Sequence, residues 1–156
     1  MASNEQADNR RDKLHTLMQE GASPFTHRRF LKLESIRALV QRDDAQPSTP
    51  MVVSTAGRLS AKRGHGGLAF ADLRDATGKI QICVKRDAVG EAGWSVFERL
   101  DLGDIIGVAG TLFKTKTGEM TVAVGQASLT LLAKALQPLP EKWHGLKDVE
   151  VRYRKR

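Results

Sequence analysis

The stretch LAFADLRDATGKIQICVK, residues 68–85, most constrains what this chain can fold into. Two runs, LAFADLR and KIQICVK, flank the tetrapeptide DATG. Alternation with a period of two marks a strand with one buried face, and a Gly-containing turn between two such runs pairs them as a hairpin. In the second run Ile80, Ile82 and Val84 alternate with Gln81, Cys83 and Lys85. The apolar set is expected to face a core, which turns Gln81 and Lys85 outward. Phe70 alternates with Ala69 and Ala71, so its ring is unobstructed on whichever face it occupies. Spacing alone leaves Phe70 open between a core ring and a surface ring. For Gln81 it favours plain solvated polarity over a specific contact.

The β texture extends in both directions. MVVSTAGRLSAKR, from Met51, reads as a long first strand in which Gly57 marks a bend or bulge. GHGG, residues 64–67, is a turn. EAGWSVFERLDLG reads as a short helix, with Val96, Phe97 and Leu100 at helical spacing. DIIGVAGTLFKTKTGEMTVAV is a hairpin whose arms meet at KTKTGE, and ASLTLL extends its second arm. Three strands, a helix and two strands is the order of the OB-fold, a five-stranded Greek-key barrel. The expected class is therefore mainly β with helical additions, the barrel being preceded by an N-terminal helical arm. In that arm, residues 8–20 predict a helix capped by Asp8 or Asn9 and ended by Gly21, and residues 31–42 a second one. Arg10, Arg11 and Lys13 read as the solvated face of the first helix. The Pro-rich DDAQPSTP is the internal boundary. The expected organisation is a helical extension over 1–50, a barrel over 51–133, and a linker over 134–156.

Composition removes several function classes. No apolar run approaches the ~20 residues of a membrane span, and the polar start lacks a signal-peptide core. The lone Cys83 forms no internal disulfide and fits a small buried residue. A cytoplasmic protein with no membrane partner is expected. The formal net charge is +7, but its distribution matters more than its total. Residues 1–50 hold 8 basic and 7 acidic side chains, residues 51–141 hold 11 and 9, and residues 142–156 hold 6 and 2. The barrel is thus only mildly basic, and any nucleic-acid recognition by it needs base contacts as well as charge.

Catalysis finds no support in the pattern. His15, His27, His65 and His144 are scattered, with no metal-ligand spacing to the single cysteine. GHGG lacks the Lys-Ser/Thr and helix of a phosphate loop. Binding does better. The outer face of strands 2 and 3 is the usual oligonucleotide platform of an OB barrel. An exposed Phe70 there stacks a base, and the Gln81 amide carries both a donor and an acceptor for a base edge. Arg58, Lys62 and Arg63, on or just after the first strand, are either a phosphate track or the wet side of an edge strand. Lys114, Lys116 and Glu119 cluster at the hairpin tip. A carboxylate opposes phosphates, so Glu119 suits RNA only by accepting from a base; otherwise it is a turn residue balancing two lysines.

Three stretches carry a family resemblance: AGRLSAKRGHGGLAFADLRDATGKIQICV, LDLGDIIGVAGTLFKTKTGEMTV and LLAKALQPLPEKWHGLKDVEVRYRKR. Together with RRDKLHTLMQEGASPF they resemble the N-terminal, anticodon-binding part of class II lysyl-tRNA synthetases. The hairpin GTLFKTKTGE and the run PLPEKWHGLKDVEVRYRKR are its specific parts. The pattern F-x-x-L-x-D-x-x-G-x-I-Q is shared with aspartyl- and asparaginyl-tRNA synthetases. The resemblance implies that the lysine anticodon loop of a tRNA is the partner. It implies that Phe70 stacks on the central anticodon uridine, that Gln81 reads a base edge, and that Glu119 lies at the anticodon. Arg58 and Lys62 match basic positions near the loop. Gly67 stands where the family commonly has Lys or another long residue, which puts one loop contact in doubt. The resemblance also implies that the catalytic domain, with its ATP and Mg2+ sites and most of the family's dimer interface, lies beyond Arg156. This chain then holds no catalytic residue and no cofactor of its own. The rivals are an aspartyl- or asparaginyl-type domain, a free-standing single-strand-binding OB protein, and a synthetase remnant serving as an adaptor.

Overall fold

The computed structural model describes residues 2–26, 30–42 and 51–138. Helix α1 spans Ala2–Gln19 and α2 Ile36–Val40. Strands β1 (Met51–His65), β2 (Leu68–Arg74) and β3 (Lys79–Lys85) come next, followed by helix α3 (Arg86–Arg99) and strands β4 (Ile105–Lys114) and β5 (Met120–Ala133). The strands close into a barrel in the order β1-β2-β3-β5-β4. All pairs are antiparallel except β3 with β5. This is the expected five-stranded OB barrel with a helix ahead of it. The boundary at DDAQPSTP and nearly all of the 134–156 linker lie outside the described residues.

Inside the barrel, Val53, Leu59, Leu73, Ile80, Ile82, Val84, Ile106, Val108, Val122 and Leu131 are all buried. Of these, Ile80, Ile82 and Val84 are the alternating set that the sequence marks. Gly110 permits the close β4–β5 seam, since a Cβ there would lie 1.9 Å from the Ala123 carbonyl oxygen. Helix α3 buries Val89, Trp94 and Phe97 and packs on β5 and β3. It begins five residues earlier than EAGWSVFERLDLG suggests, with a kink at Gly90, whose φ is 75°.

The arm departs from expectation in two ways. Asp8 and Asn9 are not caps, because α1 already runs from Ala2. Gly21 does end the helix, at φ 81°, with Ala22 N–H donating to Leu17 O at 2.8 Å. Arg10 and Lys13 do not form a solvated face. Arg10 Nη1 donates to Leu102 O at 3.1 Å and Ala135 O at 2.8 Å, and Lys13 Nζ lies 2.7 Å from Asp101 Oδ1. Arg11 does point to water and pairs with Asp8. The second helix is only Ile36–Val40, because Ser35 caps it, its Oγ accepting from Ala38 N–H at 3.2 Å. The residues before it run extended, Leu33 and Glu34 N–H both donating to Ser54 O of β1. Phe30 lies on Gly107, where a Cβ would sit 2.4 Å from its ring.

Where β5 leaves the barrel, Lys134 is buried, its side chain 1% exposed. Its ammonium reaches Asp101 Oδ2 and Asp104 Oδ2 at 2.5 and 2.7 Å. Burial alone would raise the Asp101 carboxyl, but hydrogen bonds from Lys13 and Lys134 hold it below its ordinary value. Asp104 also accepts from Asp101 N–H and Ala135 N–H, both at 2.8 Å.

Candidate nucleic-acid interface

Directly paired residues of neighbouring strands share a face, so the outside of β1, β2 and β3 is laid out in rows. One row is Arg63, Phe70 and Cys83. The next is Ala61, Asp72 and Gln81, continued across the parallel seam by Thr121. The third, at the β2–β3 turn, is Arg58, Arg74 and Lys79.

The first row answers the question left open for Phe70. Ala69 and Ala71 are the buried residues of β2, and Phe70 lies half-buried on the outer face. Its neighbour Arg63 has a side chain 55% exposed and donates from Nη2 to Asp72 Oδ1 at 3.1 Å. Asp72 is 6% exposed on this outer face and also holds Lys79, Nζ to Oδ2 at 3.3 Å. One carboxylate thus fixes a cation on either side of it. The sequence reading missed Asp72 and Lys79, although each lies two residues from Phe70 or Gln81 and so shares its face.

Gln81 lies on the outer side of the sheet, as expected, but it is not solvated: it is 7% exposed. Its Nε2 donates to Glu119 Oε2 at 3.0 Å, and its Oε1 accepts from Thr121 Oγ1 at 3.0 Å. A carboxylate only accepts, so Glu119 requires the nitrogen end of the amide to face it. Thr121, itself 0% exposed, holds the other end. Thr121 was also missed, because it lies 40 residues from Gln81 and meets it only through the parallel β3–β5 pairing.

Glu119 is presented by the β4–β5 hairpin. Thr115 N–H donates to Glu119 O at 2.9 Å, and Glu119 N–H donates to Thr115 Oγ1 at 3.0 Å. Gly118 takes φ 86°, which L side chains rarely adopt, and so turns the chain back here. Lys79 Nζ lies 3.9 Å from Glu119 Oε1, and Lys114 lines the same cleft, a space of about 340 Å³ that also reaches Arg42. Lys116 is exposed at the tip.

The remaining two predicted residues are not brought to the ring and the amide. Lys62 pairs with Ala71, on the side of β1 away from Phe70. Its ammonium donates to Phe97, Glu98 and Leu100 carbonyls at 2.8, 2.9 and 3.2 Å and lies 4.8 Å from the Phe97 ring centroid. Lys62 is therefore the cation at the C-terminal end of α3, and burial lowers its pKa. Arg58 lies in the third row, its Nη1 donating to Gly103 O at 2.8 Å. Among the described residues no three His, Cys, Asp or Glu side chains come together to hold a metal ion, and no helix is long and apolar enough to cross a membrane.

The family model for the OB-fold nucleic acid binding domain, tRNA anticodon type, matches residues 53–138. The chain is also similar to lysine–tRNA ligases. It is 48% identical over 147 residues to that of Thermoanaerobacter sp. strain X514, which covers 94% of this chain and 29% of the relative. It is 45% identical over 152 residues to that of Halalkalibacterium halodurans, covering 94% and 30%. To that of Bacillus cytotoxicus it is 43% identical over 158 residues, covering 98% and 31%. The chain thus spans about three-tenths of the length of the curated relatives it matches.

Proposed function

Since the chain belongs to the family of OB-fold nucleic acid binding domains, we propose that it recognises the anticodon loop of a lysine tRNA, as part of lysyl-tRNA synthesis. The observation that carries this reading is the meeting of three groups on one face: the Phe70 ring, the Gln81 amide and the Glu119 carboxylate. Phe70 offers a face for the central base of the anticodon. The edge of uracil places a carbonyl beside an N–H. On this reading the second N–H of Gln81 Nε2 donates to that carbonyl, and Glu119 accepts from that N–H. Arg63, Lys79 and Lys114 surround the site and meet the flanking phosphates, with Lys116 further out on the tip.

The similarity to lysine–tRNA ligases supports the choice of lysine tRNA. The role of this chain in such a ligase is recognition. The ATP and Mg2+ of amino-acid activation, the cytoplasmic setting and a homodimer belong to the same proposal for the whole enzyme. Binding of two stem-loop RNAs tests it: one with a lysine anticodon, one with its central uridine changed to cytidine. Tighter binding of the first supports the reading, and equal binding overturns it.

A further inference from the structure

We propose that Arg58, Arg74 and Lys79 form a phosphate-binding lane at the β2–β3 turn end of the sheet, which takes the RNA backbone beside the base held at Phe70. The lane rests on the reading of this face as an RNA surface.

The register sets the three residues directly opposite one another on adjacent strands. Strands lie about 4.8 Å apart, so three cationic side chains leave the sheet within about 10 Å. Like charges placed directly opposite are destabilising. The backbone holds the first two together rather than letting them part. Gly57 presses so close to β2 that a Cβ there would lie 2.9 Å from the Arg74 carbonyl oxygen.

The acids nearby do not relieve this crowding at Arg58 or Arg74. The Asp75 carboxylate follows Arg74 directly but is turned to other partners. Its Oδ2 accepts from Lys32 Nζ at 2.6 Å, and its Oδ1 from Thr77 N–H and Gly78 N–H at 2.7 and 3.0 Å. The Asp72 carboxylate holds Arg63 and Lys79. Arg58 is anchored by a neutral carbonyl, which orients its guanidinium without cancelling its charge. Arg74 is exposed and has no ion pair among the described residues. An oriented guanidinium with donors to spare, beside a second one, is a fork pair suited to phosphate oxygens.

The lane's position fits the same ligand. Arg74 lies four residues along β2 from Phe70, about 13 Å at strand rise, with the Asp72–Gln81 row between them. A strand of RNA that stacks one base on Phe70 runs its backbone over that end of the sheet. A lane of this kind adds affinity without reading sequence.

The test is binding of the lysine-anticodon stem-loop, measured over a range of salt concentrations, by the wild-type chain and by Arg74→Gln and Arg74→Lys. Each phosphate contact to a single strand contributes about 0.7 to the slope of log K against log salt. Arg74→Gln is expected to weaken low-salt binding and to flatten that slope by about 0.7, while the preference for uridine over cytidine at the loop centre is unchanged. Arg74→Lys is expected to keep most of the slope. An unchanged slope in Arg74→Gln overturns the lane. A wild-type chain that does not distinguish uridine from cytidine overturns base reading instead, and the salt slope still reports on the lane.

Discussion

Glu119 Oε2 lies 3.0 Å from Gln81 Nε2, so a carboxylate on the β4–β5 hairpin fixes which end of a β3 amide faces outward. On the proposed reading the base-reading amide is thereby oriented before any RNA arrives, and the residue that orients it is an acid. Glu119 sits among Lys79, Lys114 and Gln81, and on the proposed reading it accepts there from a base N–H.

Replacing Glu119 by Gln keeps the size of the side chain and removes its acceptor-only character. Either end of the Gln81 amide then satisfies its neighbour. Stem-loop titrations are expected to show a smaller uridine-over-cytidine preference in Glu119→Gln, with the salt slope no smaller than that of wild type.

Thr121→Val removes the hydroxyl behind Gln81 Oε1 without changing shape. The buried oxygen loses its partner, which costs about 1–3 kcal/mol. Chemical denaturation is expected to show part of that loss. The uridine preference is expected to fall by about two- to thirteenfold, the worth of one hydrogen bond of about 0.5–1.5 kcal/mol. Thr121→Ser is expected to restore both, and a preference that stays at the wild-type value in Thr121→Val means that the hydroxyl does not position the amide for RNA.

Phe70→Ala is expected to weaken stem-loop binding by about 1–3 kcal/mol, the value of one stacked base, with little change in stability. The half-exposed ring on the outer face is the reason. Unchanged affinity in anisotropy titrations would remove the stacking role.

Lys62→Met separates a structural cation from an RNA-binding one. The variant leaves the carbonyls of Phe97, Glu98 and Leu100 without their shared donor. Stability in denaturant is expected to fall by about 1–3 kcal/mol. RNA affinity per folded molecule and the salt slope are expected to stay as in wild type, because the ammonium lies away from Phe70.

Acid sensitivity follows from Asp75. Burial alone would raise its carboxyl, but hydrogen bonds from Lys32, Thr77 and Ile36 hold it well below the ordinary carboxylate range. The folded value lies below the unfolded one, so its stabilising effect is full above about pH 4. It is lost as the pH falls from there through the folded value. Thermal melts of Asp75→Asn are expected to show lower stability than wild type at neutral pH and a flatter decline on acidification.

The barrel was legible because its strands obey one rule. In LAFADLR and KIQICVK the period of two gives both strands their observed limits. What the rule does not give is which side is inside when an aromatic alternates with alanines, so Phe70 was undecided until the barrel closed around Ala69 and Ala71. Lys62 departs from a phosphate track beside Phe70 for a different reason. A bulge between Leu59 and Ala61 shifts the phase of β1 and turns Lys62 to the side of α3. The burial of Gln81 was beyond any local pattern, since its covers, Glu119 and Thr121, lie 38 and 40 residues away. In the arm, residues 31–42 read as one helix, but Ser35 caps it and the residues before it bond to β1, so only Ile36–Val40 is helical.

The buried Lys134 has a mechanical consequence. Asp101 receives Lys13 from the first helix and Lys134 from the exit of the last strand, while Arg10 grips the backbone on both sides of that junction. The first helix and the end of β5 are therefore moored to a single knot. Side chains thus couple the first helix of the arm to the point where the chain leaves the barrel.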